Sequence, residues 1–211
     1  MRPGNEPRGT STALVRYVTF DTEIGRFLVA RGDAGLCHVA FRKGLDPEEE
    51  LAHLTRRPHV LAVEDRIGLS RVVDDVRRYL AGEKVSFDYS MDLGGVTDFN
   101  RRVLETVREI PYGVLRSYQW VAKQIGSPRA TRPVGQALAR NPLPIVIPCH
   151  RVVNSDGTLG GYSGGGPDMK RRLIGLEAGQ TGFRLGATEV EVRRRVRFLL
   201  ETDPTTHSEG T

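Results

Sequence analysis

The stretch "PLPIVIPCHRVV", residues Pro142 to Val153, decides how the rest of this chain is read. Ile145, Val146 and Ile147 read as a buried strand, and a cysteine needed only for packing would sit inside that run. Cys149 instead follows Pro148 at its end and precedes His150 and Arg151. The nucleophilic form of cysteine is the thiolate, and a free thiol with a pKa of about 8.5 needs a nearby base or cation to ionise at neutral pH. His150 and Arg151 can supply that help. Neighbours in an extended strand point to opposite faces, so contact between Cys149 and His150 requires a turn or a bridging water. A carboxylate should orient the histidine, and Glu177 in "LIGLEAG" is one of several candidates.

Upstream of this stretch the texture is helical and basic. "DFNRRVLETVREI" puts Phe99, Val103, Leu104 and Val107 on one face before "PYG" breaks it. "SYQWVAKQIGSPRATRPVGQALARNP" predicts helix, tight turn, helix, with Ser117 capping the first, Gly126 ending it, and Ser127 capping the second with Pro128 at its first position. That is a helix-turn-helix pattern carrying Lys123, Arg129, Arg132 and Arg140, with the small residues Ala130, Gly135, Ala137 and Ala139 on its second helix. The chain's net charge is only +5, yet residues 101–151 hold 9 Lys and Arg against 2 Asp and Glu. Such local excess suits a polyanion, and a solvated basic face is the other reading of the same charge. Downstream, "NSDGTLGGYSGGGPDMKRR" is a glycine-dense loop leading into a helix near Asp168, the composition of a pocket wall that brings backbone close to a ligand.

The first half reads as an α/β unit. "LVRYVTF", "GRFLVARG" and "LCHVAF" are short β-branched and aromatic runs in an antiparallel meander. "DPEEELAHLTRR" predicts a helix with Asp46 as N-cap and Pro47 in its first turn, and "SRVVDDVRRYLAGE" an amphipathic helix with Val72, Val73, Val76, Tyr79 and Leu80 inward. "VSFDYSMDL" is expected to complete the sheet. No residue here forms a convincing catalytic cluster. Cys37, His38, His53 and His59 match no regular zinc spacing and read as core and surface residues. The expected organisation is a tail over 1–12, an α/β domain over 13–97, a mostly helical domain with the helix-turn-helix over 98–179 and an extension over 180–211. In that extension "TEVEVRRRVRFLLETDP" has a capping box at Thr188 and Glu191 and predicts an added helix, or a membrane-surface or partner-binding one. Two distant cysteines, the absence of an N-terminal apolar leader and the lack of any run near the ~18 apolar residues of a span point to a cytoplasmic protein.

"IPCHRVVNSDGTLGGYSGG", with "RPVGQALARNPLPIVIPCHRVV" and "IPYGVLRSYQWVA" before it, resembles the O6-alkylguanine-DNA alkyltransferase family, the methylated-DNA-protein-cysteine methyltransferases. The likeness runs from about Phe99 to Gly179, and residues 13–98 fit the family's ribonuclease-H-like α/β domain in outline. It implies one-step, cofactor-free, stoichiometric transfer of an alkyl group from O6 of guanine in duplex DNA, with O4-alkylthymine a further possible substrate. By this resemblance Cys149 is the acceptor, with a water-bridged relay through His150 to Glu177. Tyr118 donates a proton to the departing guanine, Asn141 is the hinge, and Arg132 fills the stack after base rotation. Thr131, Gly135, Gln119, Arg140 and Arg151 join it on DNA. Val152, Tyr162, Ser163 and Lys170 form the substrate pocket. The likeness implies no metal, nucleotide cofactor or membrane partner, and a monomer, with cooperative binding along DNA left open.

Pro133 departs from the family's pattern, removing an N–H near the start of the second helix, and the "YSGGGPDMK" loop is one residue longer. Two rivals remain. A non-catalytic lesion sensor or regulator would keep the helix-turn-helix but not need Cys149, and a Cys-His-Glu hydrolase would turn over and needs no basic helix pair.

Overall fold

A computed structural model describes residues 13–56 and 60–178. The predicted tail over 1–12, His59 and the predicted C-terminal helix with its capping box lie outside the described residues.

Three strands, β1 (Ala13–Thr22), β2 (Gly25–Gly32) and β3 (Gly35–Arg42), form the antiparallel meander. Val18 faces Val29 across the first pair, and Val29 faces Val39 across the second. Helix α1 (Pro47–Leu54) starts as the sequence predicts: the Asp46 carboxylate accepts the Glu48 N–H, and Pro47 occupies a position whose N–H would have no helical partner. Strand β4 (Val60–Glu64) then joins β1 in parallel, giving the order β3-β2-β1-β4. β4 escaped the sequence reading because Leu61 and Val63 stay largely exposed on this edge strand.

The segment expected to complete the sheet does not. Residues 83–97 make a single bridge, Met91 beside Leu36, where Leu36 N–H donates to Ser90 O and Asp92 N–H to Leu36 O. Its hydrophobics Val85 and Leu93 are buried, which explains the strand-like pattern. Its polar groups are committed elsewhere: Tyr89 donates to Asp75, and Arg108 donates to the Tyr89 carbonyl. Gly35, at φ +141°, lets the segment approach, since a Cβ there would collide with the Ser90 carbonyl.

Helix α2 (Ser70–Leu80) buries the predicted stripe, Val72, Val73, Val76, Tyr79 and Leu80, against the sheet. Each such fully buried aliphatic side chain contributes about 1.5–3 kcal/mol of transfer free energy. Helix α3 (Asp98–Arg108) buries Val103, Leu104 and Val107, and its Thr97 hydroxyl caps the Asn100 N–H. Strand β5 (Arg116–Ser117) leads into α4 (Tyr118–Gln124), capped by Ser117 as expected and followed by Gly126 at φ +70°.

The second helix of the pair, α5 (Thr131–Ala139), begins later than predicted. Ser127 does not cap it; residues 127–130 form a turn closed by Ala130 N–H to Ser127 O. Pro133 supplies the reason. A helix starting at Pro128 would place Pro133 in its interior, costing about 3 kcal/mol, whereas a start at Thr131 puts it among the first N–H groups, which have no intrahelical partner anyway. The departure from the family pattern is thus absorbed by a shorter helix. Strand β6 (Val152–Val153) and helix α6 (Gly166–Glu177) follow.

One hydrophobic core runs through both halves, joining Phe20, Phe27, Phe41, Val76 and Tyr79 to Val103, Val121, Val134, Ile147, Cys149 and Leu173. Among the described residues no helix is long and apolar enough to cross a membrane.

Candidate active site

β5 and β6 pair in parallel, Arg116 beside Val152 and Ser117 beside Val153. β5 delivers Tyr118 at the start of α4, and β6 leaves directly from Cys149–Arg151, so this short ladder holds the tyrosine near the cysteine.

The strand expected at Ile145–Ile147 is a buried turn. Pro142, Pro144 and Pro148 withhold the N–H groups a ladder would need. Ile147 N–H donates to Leu143 O at 2.7 Å, Cys149 N–H donates to Ile147 O at 2.8 Å, and Cys149–Arg151 form one turn of 3-10 helix. Ile145 sits at φ +75°, where a β-branched residue costs on the order of 1–3 kcal/mol. Asn141 holds this turn: its Oδ1 accepts from Leu143 N–H at 3.0 Å, and its Nδ2 donates to Ile147 O at 2.9 Å and to Cys149 Sγ at 3.1 Å.

Cys149 is 4% exposed. Burial pushes its thiol pKa up, and the Asn141 amide and the Lys170 charge pull it back down. The resting sulfur is therefore a thiol, and a base must take its proton. His150, fully buried, is placed for that. Its Nε2 lies 2.8 Å from Glu177 Oε1, so the ring proton resides on Nε2, and Nδ1, which has no hydrogen-bond partner among the described residues, keeps its lone pair. Burial lowers the His150 pKa against the opposing pull of Glu177, keeping the imidazole neutral. Burial alone would raise the Glu177 carboxyl, yet His150 and Arg151 hold it well below the usual carboxylate range.

Of the carboxylates the sequence left open, Glu177 is the one that lies within hydrogen-bond distance of His150. The structure also corrects Arg151, which was expected on DNA. Arg151 is 8% exposed; its Nε donates to Glu177 Oε2 at 2.8 Å, one terminal nitrogen to Oε1 at 2.9 Å and the other to Ile110 O at 2.5 Å. Three of its five N–H donors are committed inside the protein, and its burial keeps the group from reaching a phosphate.

Lys170 is also fully buried. Its ammonium donates to Leu159 O at 2.6 Å, Gly161 O at 3.2 Å and the Tyr118 hydroxyl oxygen at 3.3 Å, fastening the glycine loop beside Tyr118. Burial lowers its pKa to about 8. Burial, then the nearby Cys149, raise Tyr118 to about 12, so its hydroxyl stays protonated. The Tyr162 ring stands edge-on to His150 at 6.5 Å, and its buried hydroxyl has no hydrogen-bond partner among the described residues. Val152 is fully buried and gives its N–H to Cys149 O, while Ser163 is exposed on the loop.

Gln119, Thr131 and Arg132 lie exposed on the two short helices, and Arg140 lies exposed just past the end of α5. Gly135 lies behind them, where a Cβ would make ordinary van der Waals contact with the Tyr118 ring at 3.8 Å.

Sequence reasoning missed Tyr79. From α2 in the first half its hydroxyl donates to Glu177 Oε1 at 2.8 Å and lies 3.2 Å from His150 Nε2. The available signal was a tyrosine in an otherwise aliphatic buried stripe, whose hydroxyl must find a partner. The neighbouring Cys37 cluster stays structural: His38 Nε2 is 2.7 Å from Glu50 Oε1, and among the described residues no group of three or more His, Cys, Asp or Glu is placed to hold a metal ion.

Comparison with known proteins places both halves. Residues 15–93 match the "6-O-methylguanine DNA methyltransferase, ribonuclease-like domain" and residues 98–179 the "6-O-methylguanine DNA methyltransferase, DNA binding domain". A methylated-DNA–protein-cysteine methyltransferase of Mycobacterium tuberculosis is 40% identical over 164 residues, covering 78% of this chain and 93% of that protein. One from Methanosarcina acetivorans is 38% identical over 161 residues, covering 76% and 97%. Among solved structures, the M. tuberculosis OGT in complex with DNA superposes with a TM-score of 0.64 at 36% identity, over 85% of this chain and 98% of that one. The M. tuberculosis O6-methylguanine methyltransferase gives 0.66 at 37%, over 81% and 97%. With both halves matched and relatives covered almost end to end, the chain belongs to the 6-O-methylguanine DNA methyltransferase family.

Proposed function

We propose that this protein repairs DNA by moving the alkyl group of O6-alkylguanine onto Cys149, once per chain. The observation that carries the assignment is the sulfur's setting: a buried thiol fixed by Asn141, followed in sequence by a neutral histidine whose far nitrogen is tied to an ionised Glu177.

His150 Nδ1 takes the thiol proton, through water, as the electrophile arrives. The imidazolium so formed is stabilised by Glu177. The thiolate attacks the alkyl carbon in line; the S–C bond forms, the C–O6 bond breaks, and its electron pair moves into the guanine. Tyr118 supplies a proton to the leaving base, and the Lys170 ammonium, donating to the same oxygen, stabilises the phenolate left behind. No cofactor enters this balance. A thioether does not hydrolyse, so the chain is consumed.

The target atom lies within stacked DNA, so the nucleotide must be extruded at a cost of a few kcal/mol. Exposed Arg132 at the start of α5 occupies the space it leaves. Thr131, Gln119 and Arg140 bind backbone around it. Readout in the minor groove is degenerate, which suits repair in any sequence. Tyr162, Ser163 and the backbone about Val152 bound the pocket. The boundary near residue 97 divides an α/β support from the DNA-binding and transferring half.

The test is mass spectrometry after mixing with an oligonucleotide bearing O6-methylguanine. One methyl gained on Cys149, saturating at one per chain and lost in Cys149→Ser, is expected. Transfer retained in Cys149→Ser would overturn the assignment.

A further inference from the structure

The transfer chemistry sits in the second half of the chain, yet the Glu177–His150 pair is completed from the first. Tyr79 lies on α2 with no exposed surface, and its hydroxyl reaches across to both members. Its ring is fixed by edge contacts with Phe87 at 5.7 Å and Tyr112 at 6.2 Å, and Tyr112 in turn lies under the Arg151 guanidinium at 5.8 Å.

Proton bookkeeping at this junction leaves one arrangement. Glu177 is ionised, so Oε1 only accepts. Burial and the Glu177 charge raise Tyr79 well above the ordinary phenol value, so its hydroxyl keeps its proton and gives it to Oε1. The His150 Nε2 proton then faces two acceptors, Glu177 Oε1 at 2.8 Å and the Tyr79 oxygen at 3.2 Å. Nε2 is thereby held in its protonated state from two sides, and Nδ1 is the nitrogen left to receive the thiol proton.

We infer that Tyr79 is a positioning residue of the alkyl-transfer relay, through which the first half of the chain sets the orientation and basicity of His150. This rests on the proposed role of Cys149 and His150. The hydroxyl does two things. As a donor it spreads the Glu177 charge, and as an acceptor it fixes the ring plane. Without it the carboxylate acts more fully on His150 and the imidazole becomes more basic. The other titratable groups about that ring are Arg151, Lys170, Tyr162 and Cys149. A helix that only packs would need no hydroxyl here.

The experiment is Tyr79→Phe in the full chain, which keeps the ring and its packing. Transfer from O6-benzylguanine is followed by mass of the Cys149 peptide across pH 5–9. The expected result is a plateau rate lower by about tenfold and an acid limb displaced to higher pH, because a more basic imidazole must lose its proton before it can serve. Wild-type rate and an unmoved acid limb would overturn the inference. Absence of transfer from the wild-type chain would instead sink the reading it rests on, which keeps the two failures apart. Should Tyr79→Phe not fold, the 15N-histidine-labelled wild type decides. An exchange-protected His150 Nε2 proton with a cross-peak to the Tyr79 ring supports the clamp, and an Nδ1-protonated ring refutes it.

Discussion

Two groups of arginines occupy the same 51-residue basic stretch, and they do opposite things. Arg132 and Arg140 project from α5 into solvent, while Arg151 is swallowed by a carboxylate beneath the cysteine turn. The family resemblance assigns all three to DNA. Burial separates them: an exposed guanidinium keeps its donors for phosphate, and a buried one must spend them internally. The consequences for substitution should differ in kind: the buried arginine is expected to act on folding, and the exposed ones, as proposed, on DNA binding.

The largest effect is expected at the buried pair. Arg151→Ala or Glu177→Gln each strands a buried partner, a loss of about 3–5 kcal/mol. Chemical denaturation should show it, and a loss below ~1 kcal/mol would mean the pair is screened like a surface ion pair. The same pair makes stability depend on acid. Glu177 has a folded pKa lowered from its ordinary 4.5, so the unfolded chain binds more protons at low pH. Its contribution is complete above about pH 4.5 and is lost as pH falls toward the folded value. His150, lowered from 6.5, acts in the same direction at higher pH, being buried neutral and charged only at a cost. The melting temperature should therefore decline on acidification below pH 6.5 and more steeply below 4.5. Glu177→Gln should flatten the second part of that decline.

Arg132→Ala tests the exposed side. Stability should change by less than about 0.5 kcal/mol. Transfer from duplex DNA should slow severely, by tenfold or more if the side chain supports base extrusion, with a smaller loss on free O6-benzylguanine. Equal losses on both substrates would return Arg132 to the pocket and erase the contrast with Arg151.

Lys170 stands between the two classes, a buried cation whose hydrogen bonds among the described residues go to two carbonyls and a hydroxyl. Because burial brings its pKa to about 8, its charge is present at neutral pH and leaves as pH rises past that value. Lys170→Met should slow transfer at pH 7 several-fold and remove whatever alkaline decline the wild type shows near pH 8. An alkaline limb that survives the substitution would belong to another group.

The helices α2, α3 and α4 were legible from apolar spacing and caps because those signals are local. So was Cys149, since a proline before it and a histidine after it make poor packing choices. What escaped depended on distant partners. Ile145–Ile147 has the composition of a strand, but flanking prolines and the Asn141 side chain turn it into a knot of non-ladder bonds. Pro133 moved the start of α5 by overruling a plausible cap at Ser127. Arg151 and Tyr79 were misread or missed for one reason: nothing near either in sequence reveals that each will meet Glu177, 26 and 98 residues away.

The smallest expected effect lies at Arg140, the exposed residue just past α5. A side chain that only neutralises one phosphate releases about one counterion, so Arg140→Ala should reduce the slope of log affinity against log salt by about 0.9 and weaken binding alike for alkylated and intact duplexes. Transfer from the free base should not change, because the residue is exposed at the end of α5. If Arg140→Ala instead altered the free-base rate, the exposed arginine would be acting through the adjoining Asn141 on the sulfur, and the separation between surface and buried guanidinium groups would have to be redrawn at that hinge.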